Sequence, residues 1–317
     1  MHPAFSVIFF TTASGAGYGM LFLLGVLAVT GQLPVNNAGF AWGSLVLSLG
    51  LITAGLLSST FHLGHPERAW RAVTQWKSSW LAREGVAAIF TYVPAVVFAW
   101  GWLFEQRIDG IYAIAAGLAA AGAVVTVFCT GSIYNSLKTI HQWHNAWTMP
   151  NYLLLGLYTG ALLLGAVAVM SGLQTGTGFI LFLLGLLLLA WAAKAIYWNY
   201  IATTHHPATI ESATGLKHLG SVTVLEPPHS SENYLLKEMG FQIARKHADK
   251  LRRISTMSLF VTPLLLLLAA IMAPAPIGSM ALVLAALFAA LGVVVERWLF
   301  FAEAKHVVTL YYGAKEV

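Results

Sequence analysis

The chain has 317 residues, 58% hydrophobic and only 9% charged, with a mean hydropathy of +0.74 and a formal charge of +5. Soluble domains carry nearer a quarter of charged residues, so a water-soluble fold is excluded, and 17 Phe, 11 Trp and 11 Tyr exclude a solvated disordered polymer. One cysteine, Cys129, leaves neither a disulfide framework nor a cysteine-ligated iron–sulfur cluster within the chain.

Apolar runs predict an all-α polytopic membrane protein with eight transmembrane helices, at 5–30, 40–62, 84–104, 111–136, 150–171, 178–203, 254–274 and 278–301. The first run has no basic leader and no small-residue cleavage site, so it reads as a retained helix rather than a signal peptide. Its Ser14-Gly15-Ala16-Gly17-Tyr18-Gly19 segment either permits close helix packing or reflects the ordinary abundance of glycine in membrane helices. Short turn-forming connectors follow at Gly31–Pro34, Gly172–Gly176 and Pro274–Pro276. Three regions result: 1–203 with six helices and an interfacial site loop, 204–253 as an extramembrane loop ending in an amphipathic basic helix, and 254–317 with two helices and a tail.

The charges fall on one side. With eight spans, both termini and the connections 63–83, 137–149 and 204–253 share a face, and 16 of the 17 Lys and Arg belong to it, leaving Arg107 opposite. All 11 histidines fall there too. The positive-inside rule places that face in the cytoplasm. Within 204–253, Leu235, Met239, Ile243, His247 and Leu251 recur about every four residues, beside Arg245, Lys246, Lys250, Arg252 and Arg253. Such a stripe docks a partner protein, lies on anionic lipid, or simply extends the seventh span.

The densest polar sequence joins spans two and three, from His62-Leu63-Gly64-His65-Pro66-Glu67-Arg68-Ala69-Trp70-Arg71 to Trp80-Leu81-Ala82-Arg83-Glu84. Pro66 should interrupt helix, leaving His62 near a helix end and His65 in the turn beyond. Glu84 stands where an apolar span begins, and an ionisable group at such a depth is a functional candidate. Histidine and carboxylate together suit proton exchange with a quinone in apolar surroundings, and Arg68 or Arg71 could steady a developing negative oxygen. Trp70, Trp76 and Trp80 can equally be ordinary interfacial anchors. A second cluster, His141 and His144 with Gln142, Trp143 and Trp147, has spacing too weak to define a haem or metal site, and no histidine lies in the middle of an apolar run.

Leu57–Trp70, Ser78–Glu84 and the opening His2-Pro3-Ala4-Phe5-Ser6-Val7-Ile8-Phe9 resemble the membrane-anchor subunit of the dimethyl sulfoxide reductase family. The 204–253 insert, with Leu225-Glu226-Pro227-Pro228-His229 and Asn233–Phe241, is more similar to the branch that accompanies sulfite-oxidising molybdoenzymes, the sulfite dehydrogenase (quinone) type. The resemblance implies a bacterial inner-membrane subunit without haem or iron–sulfur cluster. Its partners would be a four-cluster iron–sulfur subunit, a catalytic molybdopterin subunit, lipid and the pool of ubiquinone or menaquinone, with no nucleic acid. It places the family's quinol-reactive histidine at His62 and its span-three glutamate at Glu84. His65, Arg68, Arg71, Trp80 and Arg83 complete the expected quinone site, with no metal. Cytoplasmic orientation favours electrons passing from sulfite to quinone, against the alternatives of a quinol-oxidising dimethyl sulfoxide reductase anchor or a purely structural anchor. A transporter is the competing class; no internal repeat and no charged group at midmembrane depth is expected to support it.

Reporter fusions at Val317 and near Asp109 should localise oppositely, with Val317 cytoplasmic. A periplasmic signal at Val317 would overturn the orientation and the preference for sulfite oxidation.

Overall fold

A computed structural model of the chain describes residues 4–61, 64–226, 247–314 and 317. Among these residues the regular structure is helical, apart from one isolated antiparallel bridge between Ile140 and His306. Eight helices are long and apolar enough to cross a membrane: Phe5–Val29, Ala38–Ser58, Trp80–Leu103, Ile111–Asn135, Thr148–Met170, Thr177–Thr203, Ala248–Met272 and Ala275–Ala302. They are numbered as spans one to eight.

The ends depart from the expected boundaries where polar side chains intervene. Span two stops at Ser58, because the Ser59 and Thr60 hydroxyls take the carbonyls of Leu56 and Leu57 at 2.6 and 2.7 Å. Span three starts at Trp80, where the Ser79 hydroxyl accepts the Ala82 N–H at 3.4 Å. Span seven begins at Ala248, because the end of the basic stretch runs continuously into it. The rest of the expected basic helix, residues 233–246, lies outside the described residues, as does the loop stretch 227–232. Within 204–226, the short helix Ile210–Thr214 meets the C-terminal tail, where the Tyr311 hydroxyl donates to Ala213 O at 2.7 Å.

Span one is the axis of the bundle. Of its most apolar stretch 72% is buried, against 28–56% for the other spans. It packs on spans two, four, five and eight. Its glycines make this possible: a Cβ built on Gly19 would lie 2.1 Å from the Gly156 carbonyl oxygen, and one on Gly160 would lie 2.4 Å from the Met20 nitrogen. Of the two readings of the Ser14–Gly19 segment, close packing is therefore the one observed.

Span seven is secured by a different device. Its π-helical turn Met257–Val261 precedes Pro263, which has no N–H to offer the Leu259 carbonyl four residues earlier. The Tyr158 hydroxyl of span five donates to that oxygen instead, at 3.0 Å. Outward-facing Phe90, Val93, Val96, Ile114, Leu118 and Val125 are exposed, as a lipid-facing surface requires.

Gly19→Val should lower folding stability by about 3 kcal/mol or more, since the added side chain meets backbone rather than a movable side chain. The thermal midpoint of the detergent-extracted protein checks this. Gly185→Ala, where a Cβ meets open space, should leave the midpoint unchanged.

Candidate functional site

The connection between spans two and three is exposed. After His65 it forms the 3-10 stretch Pro66–Gln75, with proline at its first position, none of whose residues is buried. His65 Nδ1 lies 3.0 Å from Glu67 Oε1, and Arg68 Nε reaches the same oxygen at 3.6 Å. The Arg71 guanidinium lies 5.6 Å from the Trp70 ring centre. His62 lies outside the described residues.

Arg83 ties this connection to span three. Its Nε donates to Trp76 O at 2.9 Å, its Nη2 donates to Lys77 O at 2.7 Å, and its guanidinium stacks 4.2 Å over the Trp80 ring. Trp80 meets Phe128 of span four edge-on, with ring centres 6.0 Å apart. One residue beyond Arg83 the environment changes. Glu84 is 3% exposed, and the Thr130 hydroxyl of span four donates to its Oε1. The expected site residues thus divide in two. His65, Arg68, Arg71 and Arg83 are held at the aqueous end, while Glu84 is drawn into the bundle. Among the described residues, Arg68 and Arg71 find partners within the connection, and Glu84 finds its partner in Thr130.

The second histidine cluster has a mechanical role. His141 Nε2 lies 2.8 Å from Thr204 Oγ1 and its ring stacks on Tyr200. Burial and the neighbouring His206 hold His141 below the usual histidine range. His144 Nδ1 lies 2.5 Å from Asn135 O. Trp143 Nε1 donates to Phe300 O at 2.8 Å, and the Tyr197 hydroxyl donates to Gln142 O at 3.1 Å. These bonds fasten the connection after span four to the ends of spans six and eight.

Deep charges are present, contrary to the sequence expectation. Lys194 lies about 14 Å inside the end of span six at Thr203. It donates to Glu296 Oε1 of span eight, and Arg297 Nη2 stands 3.5 Å from Glu296 Oε2. All three are 1–3% exposed. The pairing explains how they are tolerated: an unpaired charge in this interior is prohibitive, whereas a carboxylate between two cations is compensated. The sequence signal was there, a lone lysine in one span and a Glu-Arg pair in another at similar distances from the same membrane face. Thr130 offered no comparable signal, because hydroxyls in membrane helices ordinarily bond back to their own helix.

The chain is an eight-span helical bundle with a buried carboxylate behind an arginine-stapled connection. The chain belongs to the DMSO reductase anchor subunit (DmsC) family, which it matches over residues 1–313, and it is a membrane-anchor subunit of a DMSO reductase-family complex. It is 34% identical over 333 aligned positions to a sulfite dehydrogenase subunit of Allochromatium vinosum, an alignment that covers 98% of this chain and 99% of that relative. Both likenesses agree with those read from the motifs around His62 and Glu84 and from the 204–253 insert.

Glu296→Gln should be the more damaging of two changes in the buried cluster. It strips Lys194 and Arg297 of their shared anion and should cost about 3–5 kcal/mol, whereas Lys194→Met leaves Glu296 paired with Arg297 and should cost less. Thermal unfolding of the extracted protein checks the order; equal losses would contradict the pairing.

Proposed function

We propose that this chain is the quinone-reactive membrane anchor of a molybdopterin oxidoreductase, carrying electrons from cytoplasmic sulfite oxidation to the quinone pool. The observation that carries the quinone assignment is Glu84, a carboxylate buried one turn inside span three whose hydrogen bond, among the described residues, comes from Thr130 inside the bundle. Sulfite as the partner's substrate rests on the full-length likeness to a sulfite dehydrogenase subunit. Cytoplasmic orientation rests on the charge distribution.

The residues present suit a quinone. An apolar cavity of about 180 Å³ opens between spans one, four and five, lined by Phe22, Val124, Leu153 and Leu157, and is of a kind that accepts an isoprenoid tail. Tyr18 lies on the same wall. A quinone bound there takes up two electrons and two protons. Oxidation of sulfite to sulfate with one water releases the same number of each, so the two half-reactions balance.

In this reading His62 and Glu84 supply protons to the two ring oxygens. Trp80 and Arg83 keep the connection packed against span three, limiting water at the carboxylate. Arg68 and Arg71, on the exposed stretch, present positive charge to an iron–sulfur subunit or to the reduced ring. The catalytic molybdopterin subunit would attach through that iron–sulfur subunit. The basic stretch up to Arg253 is the natural place for the extrinsic partner to dock.

His62→Ala should cut quinone-coupled turnover of the assembled complex on the order of a hundredfold, as expected for loss of a proton-transfer group. Oxidation with a soluble artificial acceptor should be unchanged. Glu84→Gln should behave likewise. Wild-type quinone-coupled rates in both variants, with normal assembly, would overturn the site.

A further inference from the structure

Two cavities inside the bundle adjoin. One is the apolar space of about 180 Å³ between spans one, four and five. The other is polar, lies among spans one, four, five and eight, and has a volume of about 10 Å³, room for one water-sized group. Gly15, Val127 and Gly156 belong to the walls of both, and two of these three carry no side chain to part them.

The polar cavity has two buried donors on its wall that no acceptor answers. The Tyr152 hydroxyl and Arg297 Nε belong to lining residues, and neither has a hydrogen bond of ordinary geometry among the described residues. Tyr152 is 4% exposed and Arg297 3%. The Arg297 guanidinium lies 4.0 Å from the Tyr152 ring centre, so both donors come from one stacked pair. Donors left unpaired at such burial are costly, and an acceptor placed among them removes the cost.

The rest of the lining offers lone pairs. Thr11, Thr12, Ser14 and Thr159 give their hydroxyl protons to carbonyls of their own helices, at 2.9, 2.8, 2.6 and 2.7 Å. Their oxygens remain as acceptors. An oxygen in this cavity therefore meets donors when it is a carbonyl and acceptors when it is a hydroxyl. Those are the two states of a quinone oxygen.

Charge and proton supply point the same way. Lys194 and Arg297 share the one carboxylate of Glu296, so surplus positive charge stands beside the cavity. That charge favours an oxygen gaining electron density as the ring is reduced. Thr130, also on the wall, hydrogen-bonds Glu84, which leaves the carboxyl one hydroxyl away from the cavity.

We propose that one oxygen of the quinone ring occupies the polar cavity and accepts hydrogen bonds from Tyr152 and Arg297. The ring and the start of its tail fill the apolar cavity. A carbonyl oxygen is no larger than a water molecule, so it fits a space that excludes the ring itself. The proposal rests on the quinone-reactive reading above and adds two binding residues to it, on spans five and eight, far in sequence from the His62–Glu84 connection. A lone water in the polar cavity is the competing occupant.

Infrared difference spectroscopy on the assembled complex, loaded with short-chain ubiquinone labelled with 13C at its carbonyl carbons, tests it. Hydrogen bonding lowers a carbonyl stretching frequency, so the labelled carbonyls should absorb apart, with the bonded one lower. Tyr152→Phe removes only the hydroxyl. It should move the lower band upward and raise the quinone KM on the order of fivefold at little-changed kcat. The artificial-acceptor rate should stay at its wild-type value. Arg297→Lys keeps the charge beside Glu296 and removes the guanidinium donor, and it gives the same reading if Tyr152→Phe fails to assemble. Bound quinone whose carbonyl bands neither variant moves would overturn the assignment, leaving water as the occupant and the quinone-reactive reading intact. A wild-type complex that neither binds nor reduces the labelled quinone would overturn the reading and the assignment together.

Discussion

Glu296 stands between Lys194 and Arg297, and that arrangement allows cations in a bundle whose outer surface is hydrocarbon-facing. Lipid offers no hydrogen bond and no counter-charge, so each polar group must be answered from inside the protein. The same demand recurs throughout. Tyr158 supplies the donor that Pro263 withholds from Leu259, Trp143 reaches Phe300 O, and Thr130 reaches Glu84. Glu84, Glu296 and Arg297 lie toward one end of the bundle, the end where span one starts and span eight finishes. A quinone site at that end would meet both an extrinsic electron donor and a ready supply of protons.

Close packing around span one makes this concentration possible. Gly19 and Gly160 bring spans one and five to backbone contact. At that separation Thr11 and Thr12 of span one, Tyr152 and Thr159 of span five, and Arg297 of span eight share a single cavity. A wider bundle would leave Arg297 and Glu84 each to find water or lipid alone. Packing and electrostatics are therefore one problem here, and small residues on the central helix solve part of both.

Much of this was legible in the amino-acid order. Spans announce themselves by length and apolarity, since crossing hydrocarbon leaves few other patterns. Glu84 was legible because a carboxylate at the start of an apolar run is costly wherever its partner lies. Thr130 was not, because the bond joins residues 46 positions apart and the hydroxyl also fits an ordinary bond to its own helix. Lys194 and Glu296 are 102 positions apart, and only their depth from a common membrane face links them in sequence. Gly19 was ambiguous for a related reason: its meaning depends on Gly156 and Gly160 standing opposite in span five. Local chemistry is readable residue by residue, whereas pairing across spans requires the rotation of each helix to be known.

In the proposed function a quinone headgroup reaches the Glu84 end of the bundle from the membrane. Photo-crosslinking with a short-chain azidoquinone, followed by peptide mapping of the assembled complex, addresses it directly. Label is expected on the connection and the first turn of span three, within residues 62–84, displaced by excess unlabelled quinone. Displaceable label confined to the opposite end of the bundle, around Arg107 and Asp109, would contradict it.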